Sequence, residues 1–138
     1  MIRNYRGKIS GPLLDRIDLH IEVKPIKFEQ LNNKTKGETS EEIRARVNIA
    51  RKIQQKRYAG MGIFSNSELT HKMIEKYCKL DDKAQTVLEK AFKKLGLSAR
   101  AYGRILKVAR TIADLEQKEN IEIKHVAEAV QYRALDKR

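Results

Sequence analysis

An alternation of apolar and polar side chains that begins at Ile17 is the feature that most constrains the fold of this chain. Apolar residues stand at every second position as far as Val23, and Pro25 ends the pattern. A period of two is typical of a strand with one buried face. We therefore expect a strand over residues 17–24. Its backbone N–H and C=O groups need ladder partners in a sheet.

Helical patterns dominate the remainder of the sequence. Thr39 and Glu42 have the spacing of a capping box, and apolar residues recur behind them at helical intervals to about Arg57. Gly96 suits the end of another helix. Further helices are expected after Thr70, after Asp81, from Ser98 to about Leu115, and from His125 to Tyr132. The sequence therefore predicts a mainly α fold of about four to five amphipathic helices, preceded by a single strand.

The predicted strand has no partner within the sequence, unless residues 121–123 are also extended. The simplest explanation is that the sheet lies upstream and that the chain is the C-terminal piece of a larger protein. We then expect residues 1–27 to end an α/β core, residues 28–39 to form a linker, and residues 40–138 to form a self-contained helical subdomain. Two alternatives stay open: the strand pairs with another copy of the chain, or it does not form.

The net charge of the chain indicates which classes of partner it can bind. Among 138 residues, 30 Lys and Arg against 18 Asp and Glu give a formal net charge of +12. A basic balance of this size favours a polyanionic partner, which is nucleic acid, nucleotide phosphate or an acidic protein surface.

Cys78 is the single cysteine, so an intrachain disulfide is excluded and a reducing compartment is the simplest interpretation. No apolar run approaches the ~20 residues of a membrane span, and the N-terminus lacks the apolar stretch of a signal peptide.

The sequence contains few motifs that carry chemistry by themselves. It has no GxxxxGK[ST] loop to hold nucleotide phosphates. The three histidines are scattered and, with one cysteine, have no recognisable metal-ligand spacing, so no metal site is predicted. Asp15 and Asp18 flank Arg16, and carboxylates in such places are more often caps or salt-bridge partners than an acid–base pair. Cys78 lies in an apolar helical stripe and is expected in the core.

Two predicted helices carry basic faces. In the last long helix, Arg100, Arg104, Lys107 and Arg110 lie opposite the apolar face. A solvated surface is the simplest interpretation of this arc. Arg100 stands in the first turn, where the helix dipole does not favour positive charge, so contact with a bound phosphate is the alternative. The helix over residues 40–57 is also basic, and a solvated face is the default there too.

Three segments carry a resemblance to a known family: "ISGPLLDRIDLHIEV" at residues 9–23, "GLSARAYGRILKVARTIADL" at residues 96–115, and "HVAEAVQYRALD" at residues 125–136. The chain resembles the C-terminal part of the magnesium-chelatase-like AAA+ ATPases, in particular the ComM/YifB-type group. The resemblance covers essentially the whole chain. It implies that the missing sheet belongs to an upstream ATPase core and that residues 40–138 form the helical lid subdomain.

The resemblance also implies roles for three arginines. Arg16 corresponds to the arginine finger in the "LLDR" segment, which acts in trans on the nucleotide of a neighbouring subunit. Arg100 corresponds to the sensor-2 arginine of the lid, and Arg104 is a second candidate. A planar guanidinium suits both roles, because it can meet the negative charge that spreads over the γ-phosphate oxygens.

The same resemblance sets the expected partners and task. The full-length protein would bind ATP and Mg²⁺ and form a homo-oligomeric ring, by analogy a hexamer, whereas this chain alone is expected to hold no tightly bound cofactor and to lack ATPase activity. The branch is associated with DNA recombination and branch migration, and the basic balance favours DNA over chelation. We expect a cytoplasmic protein. The open alternatives are a freestanding basic helical module that binds nucleic acid, and a protein-interaction domain.

Overall fold

The computed structural model describes residues 7–31 and 37–133. Residues 1–6, 32–36 and 134–138, which belong to the predicted core end, linker and lid respectively, lie outside the described residues.

The described part of the chain is mainly helical, as the sequence predicts. The helices are α1 (Gly11–Arg16), α2 (Phe28–Leu31), α3 (Ser40–Arg57), α4 (His71–Tyr77), α5 (Asp82–Leu95), α6 (Ala99–Leu115) and α7 (Ile123–Gln131), with a 3₁₀ turn at Asn66–Glu68. Among the helices of this part, none combines the length and the apolar character that crossing a membrane requires.

Side-chain caps determine where the long helices begin and end. Thr39 Oγ1 accepts the backbone N–H of Glu42 at 3.2 Å, and Glu42 Oε2 accepts the N–H of Thr39 at 3.0 Å, which confirms the predicted capping box of α3. Asp81 and Ser98 cap α5 and α6 through Oδ1 and Oγ. Each such cap contributes about 1 kcal/mol. Gly96 ends α5 with a φ of 62°, a left-handed conformation that glycine adopts without strain.

Helix α6 is the centre of the core. Helices α3, α4 and α7 pack against it, and α5 packs against α7. The alanines Ala101, Ala109 and Ala113 are fully buried on α6 and let the neighbouring helices approach closely, while Ile105 fills the space between them. Cys78 is buried in this core, as predicted, and burial raises the pKa of its thiol to about 11.

The predicted strand over residues 17–24 is wrong for this chain. The backbone is irregular from residue 17 to residue 27, and Val23, one of the alternating apolar residues, is 86% exposed. No sheet partner for this segment occurs among the described residues, so ladder hydrogen bonds have nowhere to form. In the same part of the chain, the only β pairing is an isolated parallel bridge between Leu80 and Ile121, which limits the suspected extension at 121–123 to one residue.

Candidate functional site

Arg16 lies in the last turn of α1, and its side chain is exposed. The helix begins at Ser10, whose Oγ accepts a backbone N–H of the first turn at 3.2 Å. Pro12 stands in that turn, where a missing N–H leaves no donor unpaired. The helix ends where the N–H of Ile17 donates to the carbonyl of Leu14 at 3.2 Å. The backbone that carries Arg16 is therefore held at both ends while the guanidinium reaches the surface.

The last described residues of the chain contact this turn. Arg133 is fully buried, and its guanidinium donates to the backbone carbonyls of Leu14, at 3.2 Å, and of Ile17. The carbonyl of Tyr132 accepts the backbone N–H of His20. His20 Nε2 lies 3.1 Å from the Leu14 carbonyl oxygen. Because a carbonyl oxygen only accepts, Nε2 is the donor in this contact.

The two candidate sensor arginines have different surroundings. Arg100 lies in the first turn of α6 and is exposed. Arg104, about one turn further on, forms an ion pair with Asp18. Asp18 is thus a salt-bridge partner, but of Arg104 and not of Arg16. Within the described residues, no ion pair joins Arg16 to Asp15 or to Asp18.

A cleft of about 500 Å³ lies between the segment that follows α1 and the helical unit. Asp18, Leu19 and Ile21 line one side of the cleft, and apolar side chains of α6 together with Tyr132 line the other. Ile21 remains 66% exposed. The contacts of the segment with the helices include hydrogen bonds of its backbone and the Asp18–Arg104 ion pair, while much of its apolar surface is left uncovered.

A buried ion-pair network joins α3 to α6. The carboxylate of Asp114 is fully buried and accepts two hydrogen bonds from the Arg57 guanidinium, at 3.0 and 2.6 Å. Asn66 Nδ2 and Arg110 Nε donate to the same carboxylate at 3.0 and 3.2 Å. Tyr58 donates to Asn66 Oδ1 at 2.6 Å. The carboxylate is thus surrounded by donors, which is the condition under which a buried charge is stable.

This network changes the interpretation of one arginine in each basic face, because Arg110 and Arg57 point into the protein and not into solvent. Arg110 was expected in solvent but is 4% exposed, and it donates to the backbone carbonyls of Lys118 and Glu119 at 2.7 and 2.8 Å. The Arg57 side chain is also largely buried, with 17% of its surface exposed. Burial disfavours its charged form most strongly, but the hydrogen bonds and charge interactions with Asp114 and Tyr58 together outweigh that effect and raise the pKa of Arg57. Each guanidinium stays charged, so each needs the carboxylate beside it.

A second ionic cluster lies at the start of α7. His125 is fully buried; its Nδ1 accepts the N–H of Glu122 at 2.9 Å, and its Nε2 lies 2.9 Å from Glu116 Oε2. Lys124 Nζ is 2.9 Å from the same oxygen. Hydrogen bonds from Lys124 and His125 lower the pKa of Glu116 to about 2. Glu116, Glu122 and His125 are close enough to share a cation, but the Lys124 ammonium already pairs with Glu116 and lies 3.7 Å from Glu122. Mg²⁺, which prefers an octahedron of oxygen ligands, does not fit this set.

Comparison with known proteins assigns the family. The family described as "Magnesium chelatase, subunit ChlI C-terminal" matches residues 37–133. This chain belongs to that family. A second family, "Magnesium chelatase, subunit ChlI", matches residues 1–31. The resemblance inferred from the sequence is therefore confirmed, and the mainly helical fold fits the C-terminal helical lid region.

Three relatives show how far the similarity extends. Competence protein ComM of Haemophilus influenzae is 49% identical over 135 residues, the uncharacterized protein YifB of Escherichia coli is 42% identical over 135 residues, and the uncharacterized protein Mb2921c of Mycobacterium bovis is 32% identical over 131 residues. The alignments cover 97%, 96% and 95% of this chain but 26% of each relative. The chain therefore spans about a quarter of the length of the curated relatives it matches.

In this member of the magnesium chelatase family, sequence reasoning missed that Arg133 and Asp114 are buried and paired. A signal was present for Arg133, which follows Val126 and Ala129 at helical spacing and so continues their buried face. A charged residue at an apolar position indicates a paired, buried charge. The roles of Arg16, Arg100 and Arg104 stay predictions.

Proposed function

We propose that the chain is the lid-containing C-terminal part of a magnesium-chelatase-like AAA+ ATPase that couples ATP hydrolysis to remodelling of DNA, in branch migration or recombination. The observation that carries this proposal is the exposed apolar surface that follows Arg16. Leu19, Ile21, Val23 and Phe28 are 45%, 66%, 86% and 75% exposed. A row of this kind indicates a missing partner, and the sheet of an upstream ATPase core would cover it. A freestanding module would leave it in water, which disfavours that alternative.

The fixed backbone and exposed side chain of Arg16 support a role as arginine finger. Its backbone is held by the cap at Ser10 and by the Arg133 guanidinium, while its own side chain is exposed. A guanidinium aimed from a fixed backbone can enter a neighbouring subunit's site and meet charge on the γ-phosphate. The proposal therefore includes a ring of identical subunits, by family analogy a hexamer.

Arg100 is the better candidate for the sensor arginine of the lid. It lies in the first turn of α6, where the backbone N–H groups and the helix dipole favour an anion. Arg104 is instead engaged by Asp18. An arginine that already has a carboxylate partner would have to give it up before it contacts phosphate, whereas Arg100 has no such competitor among the described residues.

ATP is the substrate in this proposal, and its phosphates would be held by a P-loop that this sequence does not contain. The Mg²⁺ that accompanies ATP has no fitting ligand set in the described part of the chain, since in the cluster around Glu116 one ligand is a histidine nitrogen and Lys124 already pairs with Glu116. We therefore assign no Mg²⁺ ligand here. This chain would contribute two guanidinium groups: Arg16 to a neighbour's nucleotide and Arg100 to the nucleotide of its own subunit.

DNA is the proposed partner because of the charge that remains at the surface of α3. Arg44, Arg51, Lys52 and Lys56 are exposed, and at 100° per residue they lie on the side opposite the buried Ala50. A relative is named a competence protein, which agrees with a DNA task. The proposal includes a cytoplasmic location, where ATP and DNA are both present.

The main test is Arg16→Ala in a full-length protein that carries this chain. Nucleotide affinity should survive, whereas hydrolysis should fall about 10³–10⁵-fold. Arg16→Lys should restore little, because an ammonium cannot reproduce the planar fork. Arg46→Ala removes another exposed arginine and is the matched control, with turnover unchanged. Turnover of Arg16→Ala within a few-fold of the unaltered protein would contradict the proposal.

Mixed rings test whether Arg16 acts across the subunit interface. Arg16→Ala subunits with an intact P-loop, combined with P-loop-deficient subunits that keep Arg16, should recover activity at the mixed interfaces. Mixed rings that form but show no activity would remove Arg16 from that role. Arg100→Ala should differ in kind, because the sensor contacts the nucleotide of its own subunit: nucleotide affinity should weaken along with turnover.

DNA binding can be tested with this chain alone. Affinity for duplex or single-stranded DNA should fall steeply as salt rises, because each neutralised phosphate releases counterions. Replacing Arg44 and Arg51 by Ala should reduce the salt slope by about one per residue, whereas Lys93→Ala, on α5, should not change it. Absence of binding at low ionic strength would contradict the DNA part of the proposal.

A further inference from the structure

Arg133 connects the two ends of the described chain. It lies two residues after the end of α7, is fully buried, and reaches carbonyls that are 116 and 119 positions earlier in the sequence. These carbonyls belong to Ile17 and Leu14, which stand on either side of Arg16. The guanidinium of the lid therefore contacts the backbone turn from which the proposed finger projects.

The contact satisfies both partners, because the buried guanidinium needs acceptors and the turn offers backbone carbonyls. A buried guanidinium stays charged and needs acceptors for its N–H groups. The carbonyls at the end of a helix carry partial negative charge. At the end of α1, Arg133 donates to the Ile17 carbonyl and adds a donor to the Leu14 carbonyl, which also accepts the N–H of Ile17. Because α1 has six residues, it is too short to be stable by itself, and it depends on contacts of this kind.

Two further contacts hold the same turn to the lid. The backbone N–H of His20 donates to the carbonyl of Tyr132, and Asp18 forms an ion pair with Arg104 of α6. Contacts from the lid thus precede and follow Arg16 in the sequence. A rotation of the lid that keeps these contacts would carry the turn, and the Arg16 side chain, with it.

We propose that Arg133 is a positioning residue for Arg16, through which the lid of one subunit controls hydrolysis at the nucleotide of the next. This inference rests on the proposed function of Arg16 and adds a route for coupling between subunits. Nucleotide at Arg100 would set the position of the lid, and Arg133 would transmit that position to the finger. Arg133 itself contacts carbonyl oxygens and does not touch the nucleotide.

Arg133→Lys is the first test, in the assembled full-length protein. The ammonium can reach one carbonyl but not both with a planar fork, so the finger turn should be misplaced. Turnover at saturating ATP should fall at least tenfold while the KM for ATP changes less than twofold. Arg110→Lys is the matched control, because Arg110 is also buried and also donates to two backbone carbonyls. It should lose thermal stability with turnover per folded ring unchanged.

Combining variants separates positioning from a general defect. Arg133→Lys subunits mixed with P-loop-deficient subunits should recover activity, since the partner supplies a well-placed finger. Arg133→Lys subunits mixed with Arg16→Ala subunits should not, because every finger in such a ring is absent or misplaced. Recovery in the second mixture would overturn the proposal, since it would mean that the finger of the Arg133→Lys subunit works normally.

A milder variant covers the case in which Arg133→Lys does not fold. Asp18→Asn removes the exposed ion pair with Arg104 and should leave the fold intact. We expect a several-fold fall in turnover, an unchanged KM, and the same pattern in mixed rings. Unchanged turnover in every folded variant of Arg133 and Asp18 would overturn the inference. Unchanged turnover in Arg16→Ala would instead overturn the proposed function, so the two failures are distinguishable.

Discussion

The two described regions of the chain, residues 7–31 and residues 37–133, each have a clear apolar pattern, but only the second buries it. Leu88 and Ile105 in the second region have no exposed surface. Val23, in the first region, is 86% exposed. The same types of side chain therefore have opposite environments within one structure.

The reason lies in how strands and helices satisfy their backbones. A helix forms its hydrogen bonds within itself, so several amphipathic helices from one chain can assemble a core. A strand needs a neighbour for its N–H and C=O groups, and the first region finds none among the described residues. The comparison teaches that an apolar pattern identifies the surface to be buried, whereas the partner that buries it can be located elsewhere.

The largest expected effect is the loss of Asp114 from the second region. Asp114→Ala leaves the Arg57 and Arg110 guanidinium groups buried without their counter-charge, which should lower the free energy of unfolding by about 3–5 kcal/mol. Urea denaturation of the isolated chain measures it. Asp18→Ala is the control from the first region, where an exposed ion pair should contribute no more than about 1 kcal/mol. Equal effects of the two variants would remove the distinction between the regions.

Truncating apolar side chains sharpens the comparison further. Leu88→Ala creates a cavity and should lower the free energy of unfolding by about 2–5 kcal/mol. Val23→Ala should change it by less than about 0.5 kcal/mol in this chain, because a surface side chain loses little. In a full-length protein with a sheet, Val23→Ala should become destabilising. A Val23→Ala cost in the isolated chain similar to that of Leu88→Ala would show that residue 23 is already buried here.

The helices of the second region could be predicted because their signals are local. Thr39, Asp81 and Ser98 each cap the helix that the sequence assigns to them, and Gly96 ends α5. Capping depends on a side chain and backbone groups three residues away, and periodicity depends on the helix itself. Neither requires knowledge of the tertiary structure.

The partners of buried charges could not be predicted in the same way. Arg110 has the spacing of a surface residue, yet it pairs with Asp114, and Arg57 reaches the same carboxylate from 57 positions away. Arg133 contacts Ile17 across 116 positions. Such pairings depend on how helices pack, which a single sequence does not reveal. The roles of Arg16 and Arg104 came from family resemblance, and the pattern around Arg100 left phosphate contact only as the alternative to a solvated face.

The smallest expected effect is acid destabilisation through Glu116. Its pKa is lowered from the ordinary 4.5 to about 2, so its contribution to stability is present above pH 4.5 and is lost as pH falls towards 2. Glu116→Gln should therefore be less sensitive to acid than the unaltered chain over this range. Thermal unfolding between about pH 5 and pH 2 covers both the ordinary and the lowered pKa of Glu116, and it measures how steeply stability falls with pH. Glu29→Gln, in the first region, is the control and should leave the slope unchanged. An identical slope for Glu116→Gln would contradict the role of the Lys124 and His125 hydrogen bonds.

In the proposed larger protein, residues 21–23 add to a sheet that the upstream core supplies, and amide hydrogen exchange tests this. In this chain alone, the amides of Ile21 and Val23 should exchange almost without protection, whereas those of α6 should be strongly protected. In a full-length protein, the amides of Ile21 and Val23 should become protected as ladder partners. His20 is left out because its N–H already donates to Tyr132. Strong protection of Ile21 and Val23 in the monomeric chain, or none in the full-length protein, would contradict the account.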